Sequence, residues 1–384
     1  MNTQNIVRRA VGLLTRKTRE VQRLLHAPAL VRPTLLLQSD DWGRTGMPDP
    51  GAVAALQAGG ISLSASPWDR FGLESADDLT ALGDLLLAHT DVDGNPAVMS
   101  AVFVMANADL FEMQAEDYRR FRAVPIHQGF PAPWQQEPLI GIYNQLIDSR
   151  VFYPALHGYT HFNPQLMLSL AREDSERGAR IRLLHAQGIP YLVSLTPEFN
   201  FALLDRSGAT EQFIGAAEQA DWIEQGVHLF QLAFGRQPYS TCAPGYRFDV
   251  TTCKLWQQAG LSVVHNAGGM AGSKEGLWHL ARNVFFEPAL DANALPTALQ
   301  AADAAVARGE PIVVCTHSIN YVSRHVGLAD EGRKQLAALL VALLQRYPDL
   351  RFTDEQQLHQ SWLKQDQHWW RASSSRERLA RFVR

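Results

Sequence analysis

The sequence has little cysteine, little net charge and no long apolar run. Its three cysteines, at positions 242, 253 and 315, are widely spaced and include no C-x-x-C pair, so a disulfide framework is excluded. This scarcity fits a reducing compartment. A formal net charge of −4 provides no basic field that would attract nucleic acid. No stretch approaches the roughly 20 apolar residues of a membrane span.

What the chain does contain is the balance of an ordinary globular protein. Of its 384 residues, 46% are hydrophobic and 19% are charged. That length corresponds to two average domains or to one large α/β barrel. We find no internal repeat and no low-complexity segment that would divide it. We expect a helix over 1–30, one domain over 31–362 and a basic tail over 363–384.

The N-terminal segment is the main departure from this balance. Residues 1–26 carry six arginines and lysines against one acid, Glu20, with apolar residues at helical spacing, which predicts a basic amphipathic helix. A secretory signal would need an uninterrupted apolar core and a small-residue cleavage site, and the segment has neither. Two interpretations stay open. The helix packs on the domain, or it attaches, with the basic and aromatic tail, to an anionic membrane surface.

Short apolar runs alternate with helical patterns about seven times, which is typical of an α/β fold. The predicted strands cover 34–38, 96–105, 152–156, 189–195, 239–243, 261–265, 283–287, 311–316 and 350–352. The predicted helices cover 50–58, 75–89, 110–122, 139–149, 164–187, 211–234, 250–259, 293–308 and 332–347.

Titratable side chains follow three of the predicted strands at their ends. Asp40 and Asp41 come just after the first strand, and His157 ends a later one with His161 four residues on. His317 ends the strand over 311–316. Because α/β folds place their chemistry at the carboxyl ends of strands, we expect these side chains to converge.

Asp41, His157 and His161 are a plausible ligand set for a metal ion. Three protein ligands with an open position describe a catalytic site for zinc or a similar divalent ion. Such an ion activates water and polarises a carbonyl. Asp40 could then take a proton from the water, and His317 could protonate the leaving group. The chemistry indicated is hydrolysis of an amide or ester.

Together, Asp40-Asp41, His157-x-x-x-His161 and the late His317 resemble the motifs of the polysaccharide deacetylase superfamily (NodB homology, carbohydrate esterase family 4). The resemblance covers about residues 33 to 360 and implies a distorted (β/α)7 barrel. It implies that Asp40 is the base, that His317 is the acid, and that Asp41 and both histidines bind the metal. The runs 282–288 and 317–321 resemble a little-characterised branch found with bacterial surface-polysaccharide genes.

Three features depart from the family's pattern. Cys242 stands where the Arg-x-Pro-x-Gly motif has the arginine that orients the base, so Arg247, Arg236 or Arg282 would have to supply the cation. The Asp-Asp-Gly motif is interrupted by Trp42. The distance in sequence from the aspartates to the histidine pair is long, which predicts extra loop elements.

Eight residues are expected to contact substrate, and most have an alternative role. Trp42 forms a pocket wall or belongs to the core, and Asn320 and Tyr321 contact substrate or merely complete the strand end. Cys242 is expected to be a small buried hydrophobe, and His265 is a minor candidate at another strand end. The expected substrate contacts are Trp42, Tyr246, Arg247, Arg282, Asn283, Glu287, Asn320 and Tyr321, of which Arg282, Asn283 and Glu287 could instead form a polar network or surface contacts.

The functional prediction is a metal-dependent deacetylase acting on an N- or O-acetylated sugar in a glycan precursor. The expected location is cytoplasmic, with peripheral contact at the inner membrane face as an alternative. A retaining glycoside hydrolase is a second hypothesis, in which Glu287 and an aspartate would lie about 5 Å apart. A third is an inactive carbohydrate-binding or scaffolding protein.

Overall fold

Seven parallel strands form the centre of the computed structural model, which describes residues 27–64, 66–135, 138–267, 272–274, 276–322 and 328–382. Residues 1–26, most of the predicted N-terminal helix, lie outside the described residues. The barrel strands are β1 (Thr34–Trp42), β2 (Met99–Val104), β3 (Phe152–Gly158), β4 (Ser240–Thr241), β5 (Val263–Ala267), β6 (Leu277–Arg282) and β7 (Ile312–His317).

The sheet closes on itself through β6. Along Leu277–Arg282 this strand pairs with β5, and after Asn283 the chain continues as Val284–Phe285, which pairs with β7. In turn, β7 pairs with β1 over its whole length. The Asn283 side chain bridges the change of partner, accepting from the Val313 N–H and donating to the Pro311 carbonyl. The predicted distorted (β/α)7 barrel is confirmed.

The distortion lies where the site residues are. Between β3 and β4 there is a single paired position, Leu156 with Thr241. Between β1 and β2 the register shifts from Ser39 to Trp42, and within this irregularity Asp41 has a φ of 76°. A bulge of this kind redirects side chains at a strand end, so Asp40 and Asp41 can point to different partners.

Helices cover the outside of the barrel, and buried apolar side chains fill the space between them and the strands. Asp49 and Ser75 cap the first two with side-chain hydrogen bonds. The helices are α1 (Pro50–Ala58), α2 (Ala76–Leu87), α3 (Leu110–Ala115), α4 (Leu139–Asp148), α5 (Pro164–Ala171), α6 (Glu176–Ala186), α7 (Ala216–Phe234), α8 (Val250–Gln258), α9 (Ala294–Ala307), α10 (Ala329–Arg346), α11 (Glu355–Leu363) and α12 (Ser375–Phe382). Two short antiparallel pairs, Ala106–Ala108 with Ala123–Pro125 and Leu204–Asp205 with Gln212–Phe213, are among the extra loop elements.

Three element predictions are wrong. The expected helix over 164–187 is two helices, because Ser175 caps α6 by accepting from the Gly178 N–H. The run 189–195 is not a strand; its chain turns, with the Thr196 N–H bonded to the Leu192 carbonyl. Strand β6 was missed, because its sequence lacks a continuous apolar run and follows a glycine-rich segment.

Part of the predicted C-terminal tail packs on the barrel. Ala29–Leu30 pairs antiparallel with Trp370–Arg371. The Arg381 guanidinium, on α12, donates to the carbonyls of Ala27 and Arg308. Among the described residues, none of the helices combines the length and apolar character needed to cross a membrane.

Candidate metal and catalytic site

Asp41, His157 and His161 meet at the carboxyl end of the barrel. The Oδ1 atom of Asp41 lies 3.2 Å from Nε2 of His157 and 3.3 Å from Nε2 of His161. All three side chains are buried. The bulge at the end of β1 positions Asp41, and the end of β3 with the residues just after it positions His157 and His161. The three predicted ligands therefore lie together.

The atoms that face one another in this set are all acceptors. Nδ1 of His157 lies 2.7 Å from the Cys242 carbonyl, and Nδ1 of His161 lies 3.0 Å from the Asn200 carbonyl. A ring nitrogen opposite a carbonyl carries the proton, and the Tyr191 hydroxyl, 2.6 Å from Nδ1 of His161, can also accept it. In the neutral form, each ring then presents an unprotonated Nε2 to Asp41. Burial and the nearby guanidinium of Arg44 lower the pKa of His161 to about 4, which keeps this ring neutral at pH 7.

Asp41 Oδ1 supports the same conclusion, since this buried oxygen accepts no hydrogen bond. Unshared pairs on two nitrogens and one carboxylate oxygen repel one another unless a cation lies among them. Two imidazole nitrogens and one carboxylate oxygen are ligands that zinc and similar divalent ions prefer. The residues present therefore fit the implied metal.

Two other groups of potential ligands lie close by and fit a metal less well. In the group Asp40, Cys242 and His265, the carboxylate is already neutralised by Arg282. In the group Glu287, Cys315 and His317, the imidazole Nδ1 lies 2.6 Å from Glu287 and is therefore engaged in a hydrogen bond.

Arg44 pairs with the other oxygen of Asp41. Its Nη1 lies 3.1 Å from Oδ2, and its guanidinium carbon lies 3.6 Å from the centre of the Phe71 ring. Burial acts to raise the pKa of Asp41, but this pKa is held well below the ordinary range, and the Arg44 guanidinium is the largest cause of the lowering. Asp41 is therefore ionised with Oδ1 directed at the histidines. Sequence analysis missed Arg44.

Arg282 supplies the cation for Asp40. Its Nη1 and Nη2 donate to Oδ2 and Oδ1 of Asp40 over 2.7 and 2.6 Å. Burial alone would raise the pKa of Asp40, but this pair lowers it strongly, so the carboxyl stays ionised. Of the three predicted sources of this cation, the other two are wrong. Arg247 is half-exposed and lies 3.6 Å from Glu211, and Arg236 lies over the Tyr153 ring near the start of β3.

Cys242 touches the same carboxylate. This residue is buried, as expected, and its Sγ lies 3.5 Å from Asp40 Oδ2. Burial and the neighbouring Asp40 raise the pKa of the thiol well above its ordinary value, so the sulfur keeps its proton. Cys242 thus places a weak donor beside Asp40, while the positive charge comes from Arg282.

His317 lies between Glu287 and Asp40, and Glu287 holds the imidazole in place. Nδ1 of His317 lies 2.6 Å from Glu287 Oε1, and Nε2 lies 3.9 Å from Asp40 Oδ2. Burial acts to lower the pKa of His317, but Glu287 outweighs it and raises this pKa to about 10. The imidazolium is therefore present at neutral pH, with Nε2–H directed towards the site.

Trp68 also borders His317, with ring centres 4.9 Å apart in an edge-to-face arrangement. It lies on a short 3-10 helix, Pro67–Arg70, between α1 and α2. Nothing in the local sequence marks this residue, because only the fold brings its loop over the end of β7.

Four expected substrate contacts are corrected by the structure. Trp42 is buried in the core, with its ring 5.2 Å from that of Phe152. Asn283 bridges the backbone of β7, and Tyr321 is buried with its hydroxyl on Thr316. Asn320 is also buried. Its amide nitrogen donates to Glu287, and its amide oxygen accepts from the Ala289 N–H. Asn320 therefore orients Glu287, and Trp42 is not a pocket wall.

Tyr246 lies among the site residues, since its hydroxyl is 2.9 Å from Arg282 Nη1 and 3.1 Å from Cys315 Sγ. His265, the minor candidate, is fully buried inside the barrel beside Arg282.

Comparison with solved structures gives remote matches. One, assigned as a polysaccharide deacetylase from Mycobacterium smegmatis, has a TM-score of 0.42 at 12% identity, covering 86% of this chain and 90% of its own. A family 4 carbohydrate esterase from Streptomyces lividans in complex with acetate has a TM-score of 0.35 at 12% identity, with 84% and 92% covered. The alpha-amylase AmyC from Thermotoga maritima has a TM-score of 0.43 at 9% identity, with 86% and 75% covered.

No protein-family model matches the chain, and no curated protein matches it.

Proposed function

We propose that the chain is a metal-dependent hydrolase that removes the acetyl group from an N- or O-acetylated sugar in polysaccharide or glycan-precursor metabolism. One observation carries the proposal. Asp41 Oδ1 lies 3.2 and 3.3 Å from the Nε2 atoms of His157 and His161 and accepts no hydrogen bond, and an ionised carboxylate and a protonated imidazole lie beside these three ligand atoms. That combination serves acyl transfer to water.

Asp40 and His317 divide the proton transfers in this proposal. Asp40, kept ionised by Arg282, accepts a proton from the attacking water. His317, kept protonated by Glu287, donates from Nε2 to the leaving nitrogen or oxygen of the sugar. Both partners of the ion pairs are buried or half-buried, so the side chains are oriented before substrate arrives.

The two-point ion pair with Arg282 also lowers the pKa of Asp40, which makes Asp40 a weak base. A bound divalent ion, Zn²⁺ in our proposal, would be held by Asp41, His157 and His161, and would supply the acidified water and the polarised carbonyl that such a base requires. Arg44 would hold Asp41 in the orientation that leaves Oδ1 for the ion.

The choice of substrate rests on the motif resemblance. Its members act on acetylated sugars, and Trp68 offers an aromatic edge beside His317 on which a sugar ring could lie. We also propose a cytoplasmic location with peripheral contact to an anionic membrane through the basic termini. On α12, Leu379 is largely exposed between Arg378 and Arg381. Sedimentation with anionic vesicles, compared with neutral vesicles, tests this contact.

Acetate release from an acetylated amino-sugar oligosaccharide tests the activity. We expect release by the zinc-loaded protein, loss on chelation, recovery when zinc is restored, and no release by His157→Ala. Equal activity of the stripped protein and of His157→Ala would refute the metal mechanism.

The two alternative functions lose support from the same contacts. A retaining glycosidase needs two free carboxylates, but Glu287 is bonded to His317 and Asn320, and Asp40 to Arg282. The inactive interpretation was favoured slightly by the missing arginine of the motif, and the pairing of Arg282 with Asp40 removes that support.

A further inference from the structure

A line of buried polar side chains runs through the barrel from Asp40 to Glu355. Glu355 is the first residue of α11, just after the Arg351–Phe352 strand that pairs with the start of β1. It is fully buried. Its carboxylate accepts from Ser100 on β2, from Ser240 on β4 over 2.5 Å, and from His265 on β5 over 3.1 Å. Glu355 therefore lies among three strands of the barrel.

His265 connects this carboxylate to Arg282. Its Nδ1 lies 3.1 Å from Arg282 Nη2, and its Nε2 faces Glu355. Because a guanidinium only donates, Nδ1 must accept, and the ring proton must be on Nε2. The hydrogen bond from Nε2 to Glu355 fixes this tautomer, as a carboxylate behind an imidazole does in other sites.

Arg282 uses all five of its N–H donors. Nε donates to Gln38 Oε1 over 2.9 Å, and one hydrogen of Nη1 goes to the Tyr246 hydroxyl over 2.9 Å. One hydrogen of Nη2 goes to His265. The remaining hydrogen of each terminal nitrogen goes to Asp40. The plane of the guanidinium, and with it the position of both Asp40 oxygens, is set by these neighbours.

We propose that Glu355 is a positioning residue for Asp40, acting through the His265 tautomer and the Arg282 guanidinium. The inference rests on the proposed function, in which Asp40 is the base. Two carboxylates then share one buried guanidinium, Asp40 directly and Glu355 through a neutral imidazole. Burial acts to raise the pKa of Glu355, but His265 and the two serines outweigh it and lower the pKa, so the remote carboxylate is charged.

Without the Glu355 charge, His265 is no longer held with its proton on Nε2. If that proton moves to Nδ1, it faces an Arg282 donor, and the guanidinium must turn away. One of its two bonds to Asp40 then opens. Among the described residues, the side chains of Asp41, His157 and His161 form no hydrogen bond with Arg282, His265 or Glu355, so we expect metal binding to be unchanged.

Glu355→Gln tests the proposal, because glutamine has the same shape without the charge. In the zinc-loaded protein we expect kcat to fall on the order of tenfold to a hundredfold, the range found for partners behind site residues. KM and zinc content should be unchanged. Asp354→Asn is the matched control. It removes the neighbouring negative charge but keeps a side chain that can cap α11, and its kcat should match the wild type.

His265→Asn cuts the same line at another point, since its amide oxygen can replace Nδ1 but cannot reach Glu355. We expect a similar fall in kcat, and we expect the double variant to lose no more than either single variant. If Glu355→Gln does not fold, His265→Asn compared with Asp354→Asn decides the question alone. An unchanged kcat, or losses that multiply in the double variant, would overturn the proposal.

A crystal structure of Glu355→Gln separates this inference from the proposed function. If the wild type releases no acetate, the proposed function fails, but the structure still reports the geometry. We expect one of the two Arg282–Asp40 contacts to open beyond hydrogen-bond distance. An intact two-point pair overturns the positioning role whatever the activity.

Discussion

Arg282 and Asp40 form a buried two-point ion pair across the barrel, with contacts of 2.7 and 2.6 Å. They lie on β6 and β1, which do not pair with each other, since β7 lies between β1 and Val284–Phe285, the continuation of the chain after β6. The guanidinium that pairs with Asp40 therefore comes from a different strand than the one that leads to Cys242. The departure at Cys242 does not leave the carboxylate without a cation.

Arg282→Lys should lower kcat about a hundredfold, because lysine keeps the charge but cannot make two parallel hydrogen bonds to a carboxylate. The control is Arg346→Lys, which alters a half-exposed arginine paired with Asp303 on the outer helices and should leave kcat within about twofold. Steady-state kinetics of both zinc-loaded variants checks this, and equal kinetics for the two would contradict the assignment.

Glu287→Gln should lower the pKa of His317 from about 10 towards the ordinary value of about 6.5. The cause is loss of the carboxylate 2.6 Å from Nδ1. A titration of the His317 ring followed by NMR in the metal-free protein measures both values. If the variant and the wild type titrate together, Glu287 does not hold the proton on His317.

The same pair predicts how stability depends on pH. The folded pKa of His317 is raised above the unfolded value of about 6.5, so its stabilising contribution is fully present below that pH. It is lost as the pH rises towards about 10. Urea unfolding of the metal-free protein gives the free energy of unfolding. The difference in this free energy between wild type and Glu287→Gln should be largest near pH 6 and smaller near pH 10. A difference in unfolding free energy that grows as the pH rises would contradict the predicted pH dependence.

Trp42→Ala should cost about 3–5 kcal/mol of unfolding free energy, as for other large aromatic side chains removed from a core. Trp68→Ala, at the rim beside His317, should cost much less stability and should instead raise KM for a sugar substrate. Denaturant unfolding and kinetics of the two variants separate the roles. Equal losses of unfolding free energy in the two variants would contradict the core role of Trp42.

The pattern of the sequence was sufficient for the α/β fold and for grouping the five residues near strand ends, and the motif resemblance added the barrel. Apolar runs ending in Asp40, His157 or His317 show both the strand and its chemical end, because parallel strands present their carboxyl ends together. Partners across the barrel were not predictable. Arg282 follows a run, Leu277 to Ala281, that has no continuous apolar pattern, and Arg44 meets Asp41 only because the chain turns after the bulge.

Trp42, Asn320 and Tyr321 were misjudged for a similar reason. Proximity to Asp41 or His317 in sequence does not decide which way a side chain points. The register shift at the end of β1 turns Trp42 into the core, and a 3-10 turn, Ser318–Asn320, precedes Tyr321, which folds back against Thr316.

Zinc titration of the metal-free protein by calorimetry tests the central claim most directly. We predict one ion bound per chain by the wild type, and none at the same concentration by the variant carrying both Asp41→Asn and His157→Ala. Cys315→Ser, which alters a neighbouring potential ligand group, should bind like the wild type. Undiminished binding by the Asp41 and His157 variant, or no binding by the wild type, would contradict a metal site at Asp41, His157 and His161.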